Sequence, residues 1–254
     1  MRHSRAAHAA IVCTLLAAGA TTAHAAEIKV LSGNGARNAV AALVAQFERA
    51  TGHTVTIRFE VNPQVQRKIL EGEAFDVAIL NPPVLDALIA RGKVAAATRA
   101  VIGRSGIGVG IRAGAPKPDI STVAAFTRTL LDAGSVAYPE EGASGRYFVS
   151  VLDRLGIAAQ MKPRLRPMPG EYNVEIVADG KVDLVVVVAS RIAGVPGVEL
   201  VGRIPQELQT WIGFAGGMSA AAREPDAARA LLRFLTSPAA VPVLEAAGIE
   251  PFRE

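Results

Sequence analysis

Four short stretches of this 254-residue chain carry groups suited to holding an anion. They are Ser32-Gly33-Asn34-Gly35, Val61-Asn62-Pro63, Asn81-Pro82-Pro83 and Glu141-Gly142-Ala143-Ser144-Gly145-Arg146-Tyr147, and each joins a strand-like pattern to a helical one. At such a junction the first N–H groups of the helix have no partner within it and carry partial positive charge. A carboxylate or oxyanion therefore finds donors there without a formal cation. The fourth stretch is the richest: its glycines let N–H groups converge, Ser144 can act as helix N-cap and ligand donor, and Arg146 adds a fixed charge. An ordinary capped helix with a solvated arginine fits that loop equally well. Ser32, Gly33, Asn34, Asn62, Asn81, Ser144, Gly145, Arg146 and, further on, Tyr172 form the expected ligand-binding set.

Other chemistries have less to work with. The first 25 residues hold a positive start at Arg2 and Arg5, an apolar run from Ala9 to Ala20, and Ala23-His24-Ala25, the pattern of a cleavable secretory signal peptide. Cleavage after Ala25 takes with it the only cysteine, Cys13, and three of the four histidines. The mature chain is left with His53 alone, in the turn Thr51-Gly52-His53-Thr54, which reads as an exposed position. Disulfides, thiolate nucleophiles and multi-histidine or thiolate metal sites are thereby excluded, and no metal ion or cofactor is expected. A serine-type hydrolase built on Ser144 would need a base, and none of Lys29, Lys68, Lys93, Lys117, Lys162 and Lys181 is near that loop in sequence. Ser32-Gly33-Asn34-Gly35 completes neither glycine-rich nucleotide fingerprint.

The formal charge of +4 comes from 27 basic and 23 acidic side chains. Removing Arg2 and Arg5 leaves 25 against 23, a balance of +2 with no extended run of Lys and Arg. Nucleic acid is therefore not an expected partner. The apolar part of the leader is shorter than the roughly 18–20 residues that cross a bilayer, and no later segment is both that long and uncharged.

The elements that must position these loops alternate. Strands are expected at 27–31, 55–59, 75–80, 135–138, 164–167 and 184–188. Helices are expected at 36–50, around Val65 to Leu70 and Leu85 to Ile89, then at 122–131, 145–155, 172–179, 225–235 and 238–246. Gly106 to Ile111 reads as a strand crossing between two units, with returns near 197–203 and 210–215. This is an α/β pattern in two lobes, 26–108 with 208–254 and 109–207, each a mixed, mostly parallel sheet flanked by helices. In such sheets ligands lie beyond the carboxyl ends of the strands.

Across the whole mature chain the sequence resembles the periplasmic solute-binding proteins of ABC transporters, in particular the molybdate-binding-protein-like group. The resemblance is carried by the first strand with its Ser32 loop, Phe47-Glu48-Arg49-Ala50-Thr51-Gly52, Val65-Gln66-Arg67-Lys68-Ile69 and Phe75-Asp76-Val77-Ala78-Ile79. Gly145-Arg146-Tyr147 before Leu152 and Leu155-Gly156 also matches, as does the closing run Ala230 to Ala240. It implies a two-lobed, type II periplasmic-binding-protein-like fold. It also implies a monomeric periplasmic receptor that takes a small anion, molybdate-like or tungstate-like, and delivers it to an inner-membrane permease. Members that bind molybdate use a serine in each of the first two loops and a tyrosine hydroxyl. Here Ser32 falls near the first serine, the second loop is Val61-Asn62-Pro63, the third-loop small residue is Ser144, and the tyrosine position is Val188. A small organic acid or another oxyanion is the alternative ligand. The same fold serves as the effector domain of transcription regulators, but there a helix-turn-helix stands where this chain has its leader pattern.

Overall fold

The computed structural model describes residues 25–169 and 173–252; the leader expectation and Tyr172 lie outside the described residues. Chain order begins β1 (Glu27–Gly33), α1 (Arg37–Thr51), β2 (Thr54–Glu60), α2 (Asn62–Leu70), β3 (Val77–Leu80) and α3 (Pro82–Ala90). The long β4 (Ala100–Arg112) follows, then α4 (Val123–Asp132), β5 (Val136–Pro139), α5 (Ala143–Arg154), α6 (Ala158–Met161) and β6 (Leu165–Met168). The remainder is β7 (Leu184–Val188), β8 (Val198–Arg203), β9 (Trp211–Met218), α7 (Pro225–Leu235), α8 (Val241–Ala246) and β10 (Glu250–Pro251).

The strands run in the order β2-β1-β3-β9-β4-β7-β5-β6, with β8 and β10 also pairing β4. At one end β1 pairs β2 and β3 in parallel, and at the other β5 pairs β6 and β7 in parallel. Between them the pairings of β4 and β9 are antiparallel. Strand β4 pairs β9 from Ala100 to Gly106 and β7 from Ile107 to Gly110, so one strand changes partners within two residues. Gln209 fastens this crossing, because its side chain accepts from the Ile107 N–H at 2.7 Å and donates to the Ile107 carbonyl at 3.0 Å.

Helix α7 shows why the flanking layer forms. Its buried residues Ala227, Ala228, Leu231, Leu232 and Leu235 recur at three- and four-residue spacing, and Pro225 sits at its start, where a missing N–H costs nothing. Helix α1 buries Val40, Leu43, Val44 and Phe47 by the same rule. Phe47 meets Phe234 of α7 edge-on with ring centroids 5.7 Å apart. Each such side chain contributes about 1.5–3 kcal/mol of hydrophobic stabilisation.

Four expectations need correction. The segment expected as a helix over 172–179 contains only a 3-10 turn, Val174–Ile176, capped by the Asn173 side chain. The last helix is split into a 3-10 turn, Pro238–Ala240, and α8. The crossing strand begins at Ala100, six residues early. His53 is half-buried: its Nδ1 accepts from the Ala26 N–H at 3.1 Å and its ring stacks on Phe47. It is a packing residue.

Candidate ligand-binding site

The carboxyl ends of β1, β2 and β3 point toward those of β5 and β7, and a cavity lies between them. Its lining comes from the helix starts: Asn34 and Gly35 after β1, Val61 and Asn62 after β2, Asn81 after β3, Gly142 to Ser144 after β5, and Val188 ending β7. Ile212, from the antiparallel return on β9, completes it. The N-cap residues at these five places, Gly33, Val61, Asn81, Gly142 and Val188, form no side-chain cap bond. The helix-start N–H groups thus stay uncapped by their own loops.

The starts are not equivalent. Helix α3 opens with Pro82-Pro83, which have no N–H to offer. The Asn81 N–H is spent on Asn62 Oδ1 at 2.8 Å, and Asn81 Nδ2 donates to the Gly213 carbonyl at 2.8 Å. Asn81 therefore positions its neighbours. Helix α5 opens with Ala143, Ser144 and Gly145, all with N–H groups. Its N-cap is Gly142, so Ser144 is not the cap; it is the second residue of the helix, 4% exposed, with no hydrogen-bond partner for its hydroxyl among the described residues.

Of the expected set, Asn34, Asn62, Asn81 and Ser144 meet at this cavity. Ser32 is fully buried beneath it and donates to the Gly33 carbonyl at 3.2 Å. Gly33 stands behind Asn62: a Cβ there would come within 2.7 Å of Asn62 Nδ2. Gly145 lets α5 start against β5, since a Cβ would lie 1.7 Å from the Pro139 carbonyl oxygen. Arg146 is exposed, outside the lining, and donates through Nη1 to the Glu141 carbonyl. Asn34 Oδ1 accepts from Arg37 Nη2 at 3.3 Å, and that guanidinium lies over the Phe59 ring. Gly35, Val61, Gly142, Ala143, Val188 and Ile212 were absent from the expected set. Gly35 and Gly142 flank named residues and were within reach of sequence reasoning, but Ile212 carries no local signal.

The cavity measures about 20 Å³, room for about one water molecule. Gln64 Nε2 of α2 donates to Glu141 Oε2 in the loop before α5 at 3.2 Å. More bonds join the segment after β1 to the turn after β7. Asn38 Nδ2 donates to the Ser190 and Ala193 carbonyls, Arg191 Nη1 donates to Asn38 Oδ1 at 3.1 Å, and Ser190 Oγ donates to the Gly35 carbonyl at 2.6 Å. A larger groove of about 580 Å³ runs along α4, with Arg112, Arg128, Asp119 and Asp132 of mixed sign on its walls. It is lined by one side of α4 and neighbouring loops, not by helix starts. Among the described residues no group of three or more His, Cys, Asp or Glu is placed to hold a metal ion.

Comparison with known proteins gives consistent neighbours. The bacterial extracellular solute-binding protein family matches residues 28–250. An aconitate isomerase from a Pseudomonas species is 35% identical over 230 residues, covering 88% of this chain and 87% of that protein. The periplasmic molybdate-binding protein of Azotobacter vinelandii superposes with a TM-score of 0.75 at 19% identity, over 89% of this chain and all of that one. The sulfate-binding protein SubI of Mycobacterium tuberculosis superposes at 0.66 and 20% identity, over 90% and 87% of the two chains. At that identity the structural likenesses are of fold.

Proposed function

The chain belongs to the bacterial extracellular solute-binding protein family, and from that premise we propose that it is a periplasmic receptor for a small anionic solute. The solute is held between lobes 26–108 with 208–254 and 109–207 and passed, by a monomeric receptor, to an ABC transporter permease in the inner membrane. Export rests on the leader pattern of residues 1–25. The observation that carries the reading is the meeting of uncapped helix starts with Asn62 and Ser144 in one cavity that no charged side chain lines. Helix starts and neutral donors compensate an anion without trapping it in an ion pair, which suits a site that must release what it binds. Solute would enter as the walls part beside Gln64 and be enclosed as they return.

Thermal melting of the mature protein against molybdate, sulfate and small carboxylates tests this. A solute at a hundred times its Kd adds about 2.7 kcal/mol, a rise of roughly 5–10 °C for a chain of this size. If no anion raises the melting temperature, the receptor reading fails.

A second reading has its own support in the 35% identity to an aconitate isomerase. Moving a double bond within a bound unsaturated tricarboxylate shifts a proton from one end of an allylic unit to the other, with no net oxidation, and because the lining holds no carboxylate, imidazole or amine, water would have to carry that proton. The helix starts that hold a carboxylate would also stabilise the charge that spreads onto it. Incubating the purified protein with trans-aconitate and following the cis isomer by NMR decides it: turnover makes the protein an isomerase, and binding without turnover leaves a receptor.

A further inference from the structure

We infer that the ligand is an ionised organic carboxylate, with hydrocarbon beside its charged end, and not a tetrahedral inorganic oxyanion. The inference rests on the receptor reading and deepens it. It begins with the orientation of Asn62. The Asn81 backbone N–H can only donate, so the Asn62 atom facing it at 2.8 Å must be the oxygen, which fixes which way the amide points. Nδ2 is left on the Gly33 side, where the missing Cβ makes room for it, and it donates to no group among the described residues. Asn62 therefore keeps its oxygen engaged by Asn81 and leaves its NH2 as an unspent donor on a residue that lines the cavity.

From the other lobe Ser144 brings a hydroxyl that has no partner among the described residues, next to the N–H groups at the start of α5. These two side chains, the Asn62 N–H and the start of α5 make a donor cluster; the start of α2 adds nothing more, because Pro63 has no N–H and the Gln64 N–H donates to the Val61 carbonyl. Of the other lining residues, Asn34 and Asn81 already bond Arg37, Asn62 and Gly213. Val61 and Val188 are almost fully buried, Ile212 is half-buried, and their side chains carry no polar atom.

The lining thus combines a few unspent donors with apolar side chains. A tetrahedral oxyanion spreads acceptor oxygens in all directions, so in this cavity at least one oxygen would be stripped of water against Val188 and Ile212 with no donor in return. A carboxylate concentrates its acceptors at one end and carries carbon at the other, which matches the donor cluster and the apolar wall together. Asn62 selects for the charge, and Val188 with Ile212 select for what is attached to it.

The test is isothermal titration of the mature protein with succinate and trans-aconitate as organic probes and molybdate and sulfate as inorganic ones. Wild type should bind at least one carboxylate more tightly than either oxyanion. Val188→Thr replaces a methyl by a hydroxyl at nearly constant volume. It should weaken the carboxylate about tenfold and move the oxyanions the other way. Because the readout is the ratio of affinities within one variant, a general loss of stability does not mimic it. Asn62→Asp keeps the acceptor for Asn81 but turns a carboxylate toward the ligand, and should weaken every anion at least about a hundredfold. Oxyanions bound in preference to carboxylates, or a ratio that Val188→Thr leaves unchanged, would overturn the inference while leaving an anion receptor. Binding of none of the four probes would overturn the receptor reading itself, and the inference with it.

Discussion

Replacing Asp76 by Asn should loosen the closure of the first lobe. Asp76 is 4% exposed and lies at the approach to β3. Its Oδ2 accepts the Lys29 N–H of β1 at 2.9 Å, and its Oδ1 accepts the N–H groups of Arg223 at 2.7 Å and Glu224 at 3.3 Å, just before α7. One carboxylate thus joins the first strand to a helix start about 150 residues beyond Asp76 itself, and its charge faces the positive end of α7. An amide has a single oxygen, so whichever way the substituted side chain turns, one side sets an NH2 against a backbone N–H. The loss is one charge-assisted bond, about 1.5–3 kcal/mol, plus about 0.3–1 kcal/mol from the helix end. The total, about 2–4 kcal/mol, lowers the melting temperature by roughly 5–15 °C. Urea denaturation followed by circular dichroism measures it directly, and Asp76→Ala, which leaves all three N–H groups without an acceptor, should cost more than Asn. If Asp76→Asn changes stability by less than about 1 kcal/mol, or if Ala is the milder change, the carboxylate does not hold the lobe together as argued.

Three further outcomes follow from individual contacts. Gly145→Ala places a Cβ 1.7 Å from the Pro139 carbonyl oxygen and must displace the start of α5. It should cost about 2 kcal/mol or more in urea melts, and it should weaken anion binding because Ser144 moves with the helix. Asn38→Ala removes the side chain that bonds the Ser190 and Ala193 carbonyls and Arg191. A stability loss of about 2–4 kcal/mol is expected, and a neutral variant would show that these bonds do not fasten the segment after β1 to the turn after β7. Trp211, the only tryptophan, lies between the guanidinium groups of Arg104 on β4, at 4.2 Å, and Arg203 on β8, at 4.8 Å, and Glu250 pairs with both arginines. Its emission should change during an anion titration as β8 shifts against the first part of β4; constant emission alongside measured heat of binding would place the motion elsewhere.

What could be read from the sequence was what is local. Strand β7 and helix α7 fall at 184–188 and 225–235, as their patterns indicate, because an uninterrupted apolar run and a proline-led amphipathic repeat leave few alternatives. The early start of β4 was hidden by Gly103-Arg104-Ser105, which breaks the apolar pattern; Ser105 faces inward to bond the Gly248 carbonyl at 2.7 Å, a partner supplied from the end of the chain. The segment at 172–179 has helical spacing but closes through turns around Gly180. In the site, Asn62 and Ser144 announced themselves by type and position after a strand. Their division of labour did not. That Asn81 orients Asn62, that Gly33 and Gly145 serve close approaches, and that Ile212 faces the helix starts all depend on pairings between distant strands. Asp76 stood out as the one charge in an apolar strand, while its partners at 223 and 224 were out of reach of any local pattern.

The central claim is that the helix starts between the lobes hold the anion. A crystal structure of the mature protein grown with saturating trans-aconitate tests it most directly. The account predicts a carboxylate between the starts of α2 and α5, with its oxygens about 2.7–3.2 Å from Asn62 Nδ2 and Ser144 Oγ and its carbon chain against Val188 and Ile212. A carboxylate bound instead in the outer groove beside Arg112 and Arg128, with the cavity between the lobes still shut, would contradict it.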